Sequence, residues 1–160
     1  MGLNFGGPTK YYDYSTKNMK HIFSMFYKLI NKHDFQLVVI PSMRTPLSTI
    51  HYAKEFFGEN HTIIMDVDKK AYLSALAISE NIVVTCDSSS MISEAALTGK
   101  PIYVANILPK KNDKRFQRFR NLFRELNITR NLGEEVKIWN YEKLDETNRV
   151  AKLIKEKIQF

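Results

Sequence analysis

Short apolar runs that alternate with longer helix-like segments constrain this 160-residue chain more than any other feature of its sequence. Each run is continuously apolar, as in parallel strands that helices cover on both faces. The first intervening segment repeats its apolar residues at three- and four-residue steps, which is the period of an α-helix. Strand–helix–strand repetition at this spacing predicts an α/β fold, a Rossmann-like three-layer domain with a mainly parallel sheet.

The pattern predicts five strands, at residues 3–5, 37–40, 62–65, 82–85 and 102–104. Helices are expected at residues 15–32, 46–57, 69–79 and 90–98, followed by a basic helix and a last helix near residues 145–158. Ser15 is expected to cap the first helix, and Thr45 to cap the helix that begins at Pro46. The stretch from residue 128 to residue 141 is expected to be irregular.

Length and composition predict one domain over residues 1–160, since domains usually span about 100 to 200 residues. The first strand is very short and Gly6 follows it at once, so we expect a fragment of a two-domain protein. Cys86 is the only cysteine, which excludes an internal disulfide and a cysteine-based zinc cluster. This composition suits a reducing, cytoplasmic setting, with peripheral contact at the inner membrane as a further expectation.

Positive charge is concentrated in one part of the chain. The whole sequence has 24 Lys and Arg against 17 Asp and Glu, a net charge of +7. Residues 110–130 hold eight basic side chains against two acidic ones, a net charge of +6. Such a helix suits phosphates, anionic lipid or nucleic acid, or is simply a solvated surface. We expect an anionic membrane surface as its alternative partner and no specific nucleic acid.

Three predicted strands end in loops whose chemistry suits a phosphate. Gly6 and Gly7 follow the first strand, where paired glycines let backbone N–H groups approach an anion, and Lys10 adds charge. Arg44 follows the second strand and can form two hydrogen bonds to a phosphate. After the fourth strand come the other expected ligand-binding residues, which are Asp87, Ser88, Ser89, Ser90 and Glu94.

Ligands of open parallel sheets bind beyond the carboxyl ends of the strands, so these loops are expected to form one anion site. Taken singly, each loop has a plain structural explanation. Paired glycines form tight turns, an exposed Arg can flank a capped helix, and the serines with Glu94 can serve as a helix cap. The four histidines lack metal-ligand spacing, and no Gly-x-Gly-x-x-Gly motif is present, so neither a metal nor a cofactor is expected.

Several motifs together resemble one known family. They are GGPTKYY at residues 6–12, RTP at 44–46, VVTCDSSSMISEA at 83–95, GKP at 99–101, RFQRF at 115–119 and the segment 139–151. The sequence is similar to the mitochondrial-fission (elongated-mitochondria) family of plants and its bacterial relatives. Some bacterial members are labelled nucleoside-diphosphate-sugar epimerases, but this chain has no dinucleotide-binding motif that supports that label.

The resemblance implies the C-terminal, donor-binding half of a GT-B glycosyltransferase-like protein. It implies a nucleotide-sugar or nucleoside diphosphate as ligand, held by the glycine loop, Arg44 and the serine-rich helix start. It also implies a missing N-terminal domain, without which this half is expected to be inactive. Catalytic residues are not identified, and the alternative is a non-catalytic module that docks on a membrane or a partner.

Overall fold

Six parallel strands form the central sheet of the computed structural model, which describes residues 1–158. Their order across the sheet is β3-β2-β1-β4-β5-β6. The strands are β1 (Gly2–Asn4), β2 (Val38–Ile40), β3 (Thr62–Ile63), β4 (Ile82–Thr85), β5 (Ile102–Ala105) and β6 (Thr129–Asn131). The fold is therefore α/β and Rossmann-like, as the alternating apolar runs predict.

Helices connect each pair of successive strands, as parallel pairing requires, and a last helix follows β6. They are α1 (Thr16–His33), α2 (Leu47–Phe57), α3 (Lys69–Ile78), α4 (Ser89–Ala96), α5 (Lys114–Glu125) and α6 (Glu146–Ile158). Ser15 caps α1 as expected, since its side chain accepts a hydrogen bond from the backbone N–H of Asn18. No helix in residues 1–158 is long and apolar enough to cross a membrane.

The core lies against the middle strands. All four residues of β4 and all four of β5 are buried, which explains why these segments are apolar without alternation. The buried face of α1 includes Phe23 and Phe26, and the Phe23 ring stacks on Tyr52 of α2 with centroids 5.1 Å apart. Aromatic packing of this kind fixes α1 against α2 and so fixes the loop that leads into α1.

The order of the strands reverses at β1, which pairs with β2 on one side and β4 on the other. This switch point leaves a crevice between the carboxyl ends of β1 and β4, because the loops that follow these strands lead to different neighbours. The glycine loop and the segment after Thr85 therefore flank the same crevice.

The structure corrects three details of the predicted pattern. The stretch expected to be irregular contains β6, a short strand with polar residues that pairs with β5 at the edge of the sheet. Thr45 does not cap α2, whose N-cap is Pro46 without a side-chain hydrogen bond, because the Thr45 hydroxyl donates to Gly6 O. Helix α4 begins at Ser89, one residue before the expected start, with Ser88 as its N-cap.

Candidate functional site

Asp87 lies at the centre of a polar cluster in the crevice between β1 and β4. Its side chain is fully buried, with 0% exposure, and three groups donate hydrogen bonds to it. The Gly7 N–H and the Arg44 Nη2 donate to Oδ2 at 2.8 and 3.1 Å, and the Tyr14 hydroxyl donates to Oδ1 at 2.7 Å. A buried carboxylate needs donors of this kind, and here both of its oxygens have them within the protein.

The two glycines are required by close approach within this cluster. A Cβ added to Gly6 would lie 2.1 Å from Asp87 Oδ2, and one added to Gly7 would lie 2.2 Å from Arg44 O. The Gly6 N–H also donates to the Thr85 hydroxyl at 2.8 Å. The glycine loop therefore contacts the fourth strand and the Arg44 loop directly.

Arg44 faces both the cluster and the solvent. Its Nη1 donates to Gly7 O at 2.8 Å while Nη2 pairs with Asp87. Its side chain is 44% exposed, so part of the guanidinium remains accessible from the crevice. A guanidinium carries five N–H donors, more than these two contacts use.

The serine-rich segment forms the start of α4. Ser88 is buried and its hydroxyl accepts from the Met91 N–H at 3.5 Å, whereas Ser89 is half-buried and Ser90 is exposed. The first-turn N–H groups of any helix lack intrahelical acceptors and carry the positive end of the helix dipole. The N-terminus of α4 is thus directed toward the same edge of the sheet as Gly7 and Arg44.

Glu94 lies about one turn further along α4 and is exposed, but it already has a protein partner. The Tyr72 hydroxyl of α3 donates to Glu94 Oε2 at 2.6 Å. Burial, together with this hydrogen bond, raises the pKa of the Tyr72 hydroxyl well above its usual value. Tyr72 therefore stays a donor and orients the Glu94 carboxylate.

Lys10 stands apart from the other predicted site residues. It is exposed, and its ammonium lies 5.1 Å from the centroid of the Tyr11 ring. Its side chain makes no hydrogen bond or ion pair within residues 1–158. The structure thus brings Gly6, Gly7, Arg44 and Asp87 into contact and leaves Lys10 on the surface of the same loop.

The sequence analysis did not identify two residues that hold this cluster through hydrogen bonds, Tyr14 and Ser42. Burial and the Asp87 carboxylate raise the pKa of the Tyr14 hydroxyl far above its usual value, so Tyr14 remains a donor. Ser42 donates to Gly6 O at 2.7 Å, next to the bond from Thr45. The position of Ser42, two residues before Arg44, could have indicated its role from the sequence. Tyr14 could not be found in this way, because its partner Asp87 is 73 residues away.

A second polar cluster, built around Asp113, lies on the β5 side of the same edge. The Tyr12 hydroxyl donates to Asp113 Oδ2, and Arg120 Nη2 donates to the same oxygen at 3.0 Å. Gln117 donates to the other carboxylate oxygen at 2.6 Å. Arg120 also donates to Cys86 O at 3.2 Å, so this cluster holds the segment just before Asp87.

The basic residues of segment 110–130 do not form one surface. Arg120 turns inward to Asp113, Lys110 pairs with Asp13 at 3.9 Å, and Arg130 lies over the Trp139 ring. Lys114, Arg115 and Arg118 on α5 are exposed. The outward-facing charge is therefore smaller than the count in the sequence indicates.

These observations define a Rossmann-like α/β domain with a polar cluster at the switch point of its sheet. The family model described as mitochondrial fission ELM1 matches residues 1–158. The chain belongs to this mitochondrial fission ELM1 family, which the motif resemblance predicts. No solved structure matches the chain significantly.

Two curated relatives are longer proteins. "Uncharacterized protein RP120" of Rickettsia prowazekii is 29% identical over 161 residues, covering 94% of this chain and 44% of that protein. "Mitochondrial fission protein ELM1" of Arabidopsis thaliana is 29% identical over 122 residues, covering 73% of this chain and 28% of that protein. The chain thus spans less than half the length of the curated relatives it matches.

Proposed function

We propose that this domain binds a nucleoside diphosphate, as the donor-binding half of a glycosyltransferase-like protein binds its nucleotide-sugar. The observation that supports this most strongly is the convergence of Gly7, Arg44 and the start of α4 at the switch point. Ligands of doubly wound sheets bind at this point, and helix N-termini bind phosphates there.

In this proposal the diphosphate lies at the N-terminus of α4. The N–H groups of Ser89 and Ser90 and the exposed part of the Arg44 guanidinium donate to its oxygens. Helix dipole and guanidinium together stabilise negative charge on a bound or departing diphosphate. Lys10, which is exposed and follows the glycine loop, adds a positive charge.

Asp87 is a positioning residue in this arrangement. A buried carboxylate repels phosphate, and its oxygens already accept from Gly7, Tyr14 and Arg44. It holds the glycine loop and Arg44 in place without touching the ligand. The close approach of Asp87 also explains the glycine at position 6, and that of the Arg44 backbone explains the glycine at position 7.

Glu94 is the proposed contact to the ribose hydroxyls. Tyr72 occupies Oε2, which leaves Oε1 as an acceptor on an exposed carboxylate. Such an acceptor distinguishes a nucleoside diphosphate, which has a ribose, from inorganic pyrophosphate, which has none. We assign any transfer reaction to a protein that also contains the part of the longer relatives that this chain does not match. We expect this domain alone to bind the ligand without turnover.

Calorimetry with uridine, guanosine and adenosine diphosphates and with inorganic pyrophosphate tests the proposal. We expect Glu94→Gln to weaken the preferred nucleoside diphosphate about ten- to a hundredfold, the loss of one hydrogen bond to a charged acceptor. Pyrophosphate binding should stay unchanged, and Glu125→Gln on the exposed end of α5 is the matched control. Equal weakening of both ligands, or no binding of any diphosphate, would contradict the proposal.

A further inference from the structure

Two adjoining cavities lie over the carboxyl ends of β5 and β6, separate from the Asp87 cluster. One of about 510 Å³ is bounded by the start of α1 and the loop after β5, and the other of about 320 Å³ by α5 and the end of β6. Asn106, Gln117 and Arg120 line both cavities. Together they form one concave surface, which we call the β5–β6 groove.

The groove is positively charged. Lys17, Arg120 and Arg124 line it, and its only acidic residue within the described chain is Asp113. Asp113 is 2% exposed and is neutralised by Arg120 at 3.0 Å. A concave surface with an excess of cations attracts anions and raises their local concentration.

Arg120 is held in one orientation and still has donors to offer. Its side chain is 14% exposed, and three of its N–H groups donate to Tyr12, Cys86 and Asp113. A guanidinium has five N–H donors, so two of them lack an acceptor within residues 1–158. A rigid guanidinium with two remaining donors suits a two-oxygen contact to an oxyanion, because little side-chain entropy is lost on binding.

Amide side chains complete the wall of the groove. Asn106 donates to Asn131 at 3.1 Å across the ends of β5 and β6, and Asn121 accepts from Arg124. Amides present a donor and an acceptor at fixed positions, which suits hydroxyl groups next to a charged group. Arg124 lies one helical turn after Arg120, so both arginines face the same groove.

We propose that the β5–β6 groove is a second binding site, for a small oxyanion that bears carboxylate or phosphate oxygens. Arg120 and Arg124 contact the anion, and Asn106 and Asn131 contact neighbouring polar atoms. The site is independent of the proposed nucleoside-diphosphate site, because it uses no residue of the Asp87 cluster.

Nitrogen-15 NMR of the whole chain, titrated separately with inorganic phosphate and with citrate, tests this site and separates the two oxyanion classes. We expect saturable shifts of the Arg120 Nε–H and of the Asn106 and Asn131 backbone amides with at least one of the anions. Arg124→Gln should weaken that binding about tenfold, the loss of one charge-assisted hydrogen bond. The matched control is Arg118→Gln, on the exposed face of the same helix, which should bind as the unchanged chain does.

Three outcomes would overturn the proposal: no saturable shift in the groove, equal weakening by Arg118→Gln, or shifts confined to Gly7 and Ser89. The variant Arg44→Gln distinguishes the two sites. It should leave anion binding in the groove unchanged while it weakens the nucleoside diphosphate. A loss of both would show that a single site accounts for all binding.

Discussion

The two Arg–Asp pairs at the carboxyl edge of the sheet have the same chemistry and different surroundings. Arg44 is 44% exposed beside Asp87, whereas Arg120 is 14% exposed beside Asp113. Both carboxylates are buried and both also accept from a tyrosine of the loop after β1. The half-exposed Arg44 guanidinium is open to the crevice, whereas the Arg120 guanidinium is mostly buried and can present only its two remaining donors to the β5–β6 groove.

This comparison shows why an ion pair must be judged by its burial. A buried pair adds little net stability over apolar packing, but losing one partner leaves an uncompensated charge inside the protein. Removal of the half-exposed Arg44 opens its place to water, and the buried Asp87 keeps the Gly7 N–H and the Tyr14 hydroxyl as donors, so its charge is left better compensated.

The largest effect is expected when the buried pair is broken. Asp113→Ala leaves the Arg120 guanidinium buried without its carboxylate and should lower the free energy of unfolding by about 3–5 kcal/mol. Urea denaturation followed by circular dichroism measures this loss. Arg118→Ala, whose side chain makes no ion pair within residues 1–158, should change stability by less than about 0.5 kcal/mol. A loss for Asp113→Ala no greater than that of this control would refute the assignment of a buried structural pair.

The next effect concerns the close packing of the glycine loop against Asp87. Gly6→Ala places a Cβ 2.1 Å from Asp87 Oδ2, an oxygen that the Gly7 N–H and Arg44 hold in position, so the loop must shift. We expect a loss of about 1–3 kcal/mol, as for other overpacked sites. Gly133→Ala is the matched control, because a Cβ there meets no atom within 4 Å. Similar urea midpoints for the two variants would show that the loop accommodates a side chain.

A smaller loss of stability is expected at the half-exposed pair. Arg44→Ala leaves Asp87 with the Gly7 N–H and the Tyr14 hydroxyl as donors, so the loss should be about 1 kcal/mol. The affinity for a nucleoside diphosphate should fall about ten- to a hundredfold in calorimetry. If Arg44→Ala loses as much stability as Asp113→Ala, the two pairs do not differ in their contribution to the fold and the prediction is wrong.

The smallest effect is a dependence of stability on pH. Burial opposes ionisation of Asp113, but hydrogen bonds from Tyr12 and Arg120 outweigh it and hold its pKa below the usual value. A lowered folded-state pKa stabilises the protein above the unfolded pKa of about 3.9 and loses this stabilisation as the pH falls further. Asp113→Asn should therefore flatten the decline of the urea midpoint below about pH 4, and an unchanged slope would contradict this.

The fold could be predicted because local sequence encodes it. The apolar runs at β4 and β5 are buried on both faces, so their composition is visible without any tertiary information. Strand β6 was missed because Thr129, Arg130 and Asn131 are polar and lie at the edge of the sheet. Its pairing depends on β5, which the local pattern does not reveal.

The candidate site could be predicted only in part. The loops after the strands indicate which residues reach the edge, and the structure brings Gly7, Arg44 and Asp87 together there. The inward direction of Arg120 was not predictable, since its partner Tyr12 is 108 residues away in sequence. Charge counting had assigned Arg120 to a basic surface, whereas it belongs to the buried cluster.

Thermal unfolding of the chain with and without a nucleoside diphosphate tests the contrast between the two pairs, in which only Arg44 serves the nucleoside-diphosphate site. A ligand that binds only the folded state at a hundred times its Kd adds about 2.7 kcal/mol of stability. If this contrast holds, the preferred nucleoside diphosphate raises the midpoint of the unchanged chain and of Arg118→Gln, and raises that of Arg44→Gln far less. An equal rise in Arg44→Gln, or no rise in any of the three, would contradict it.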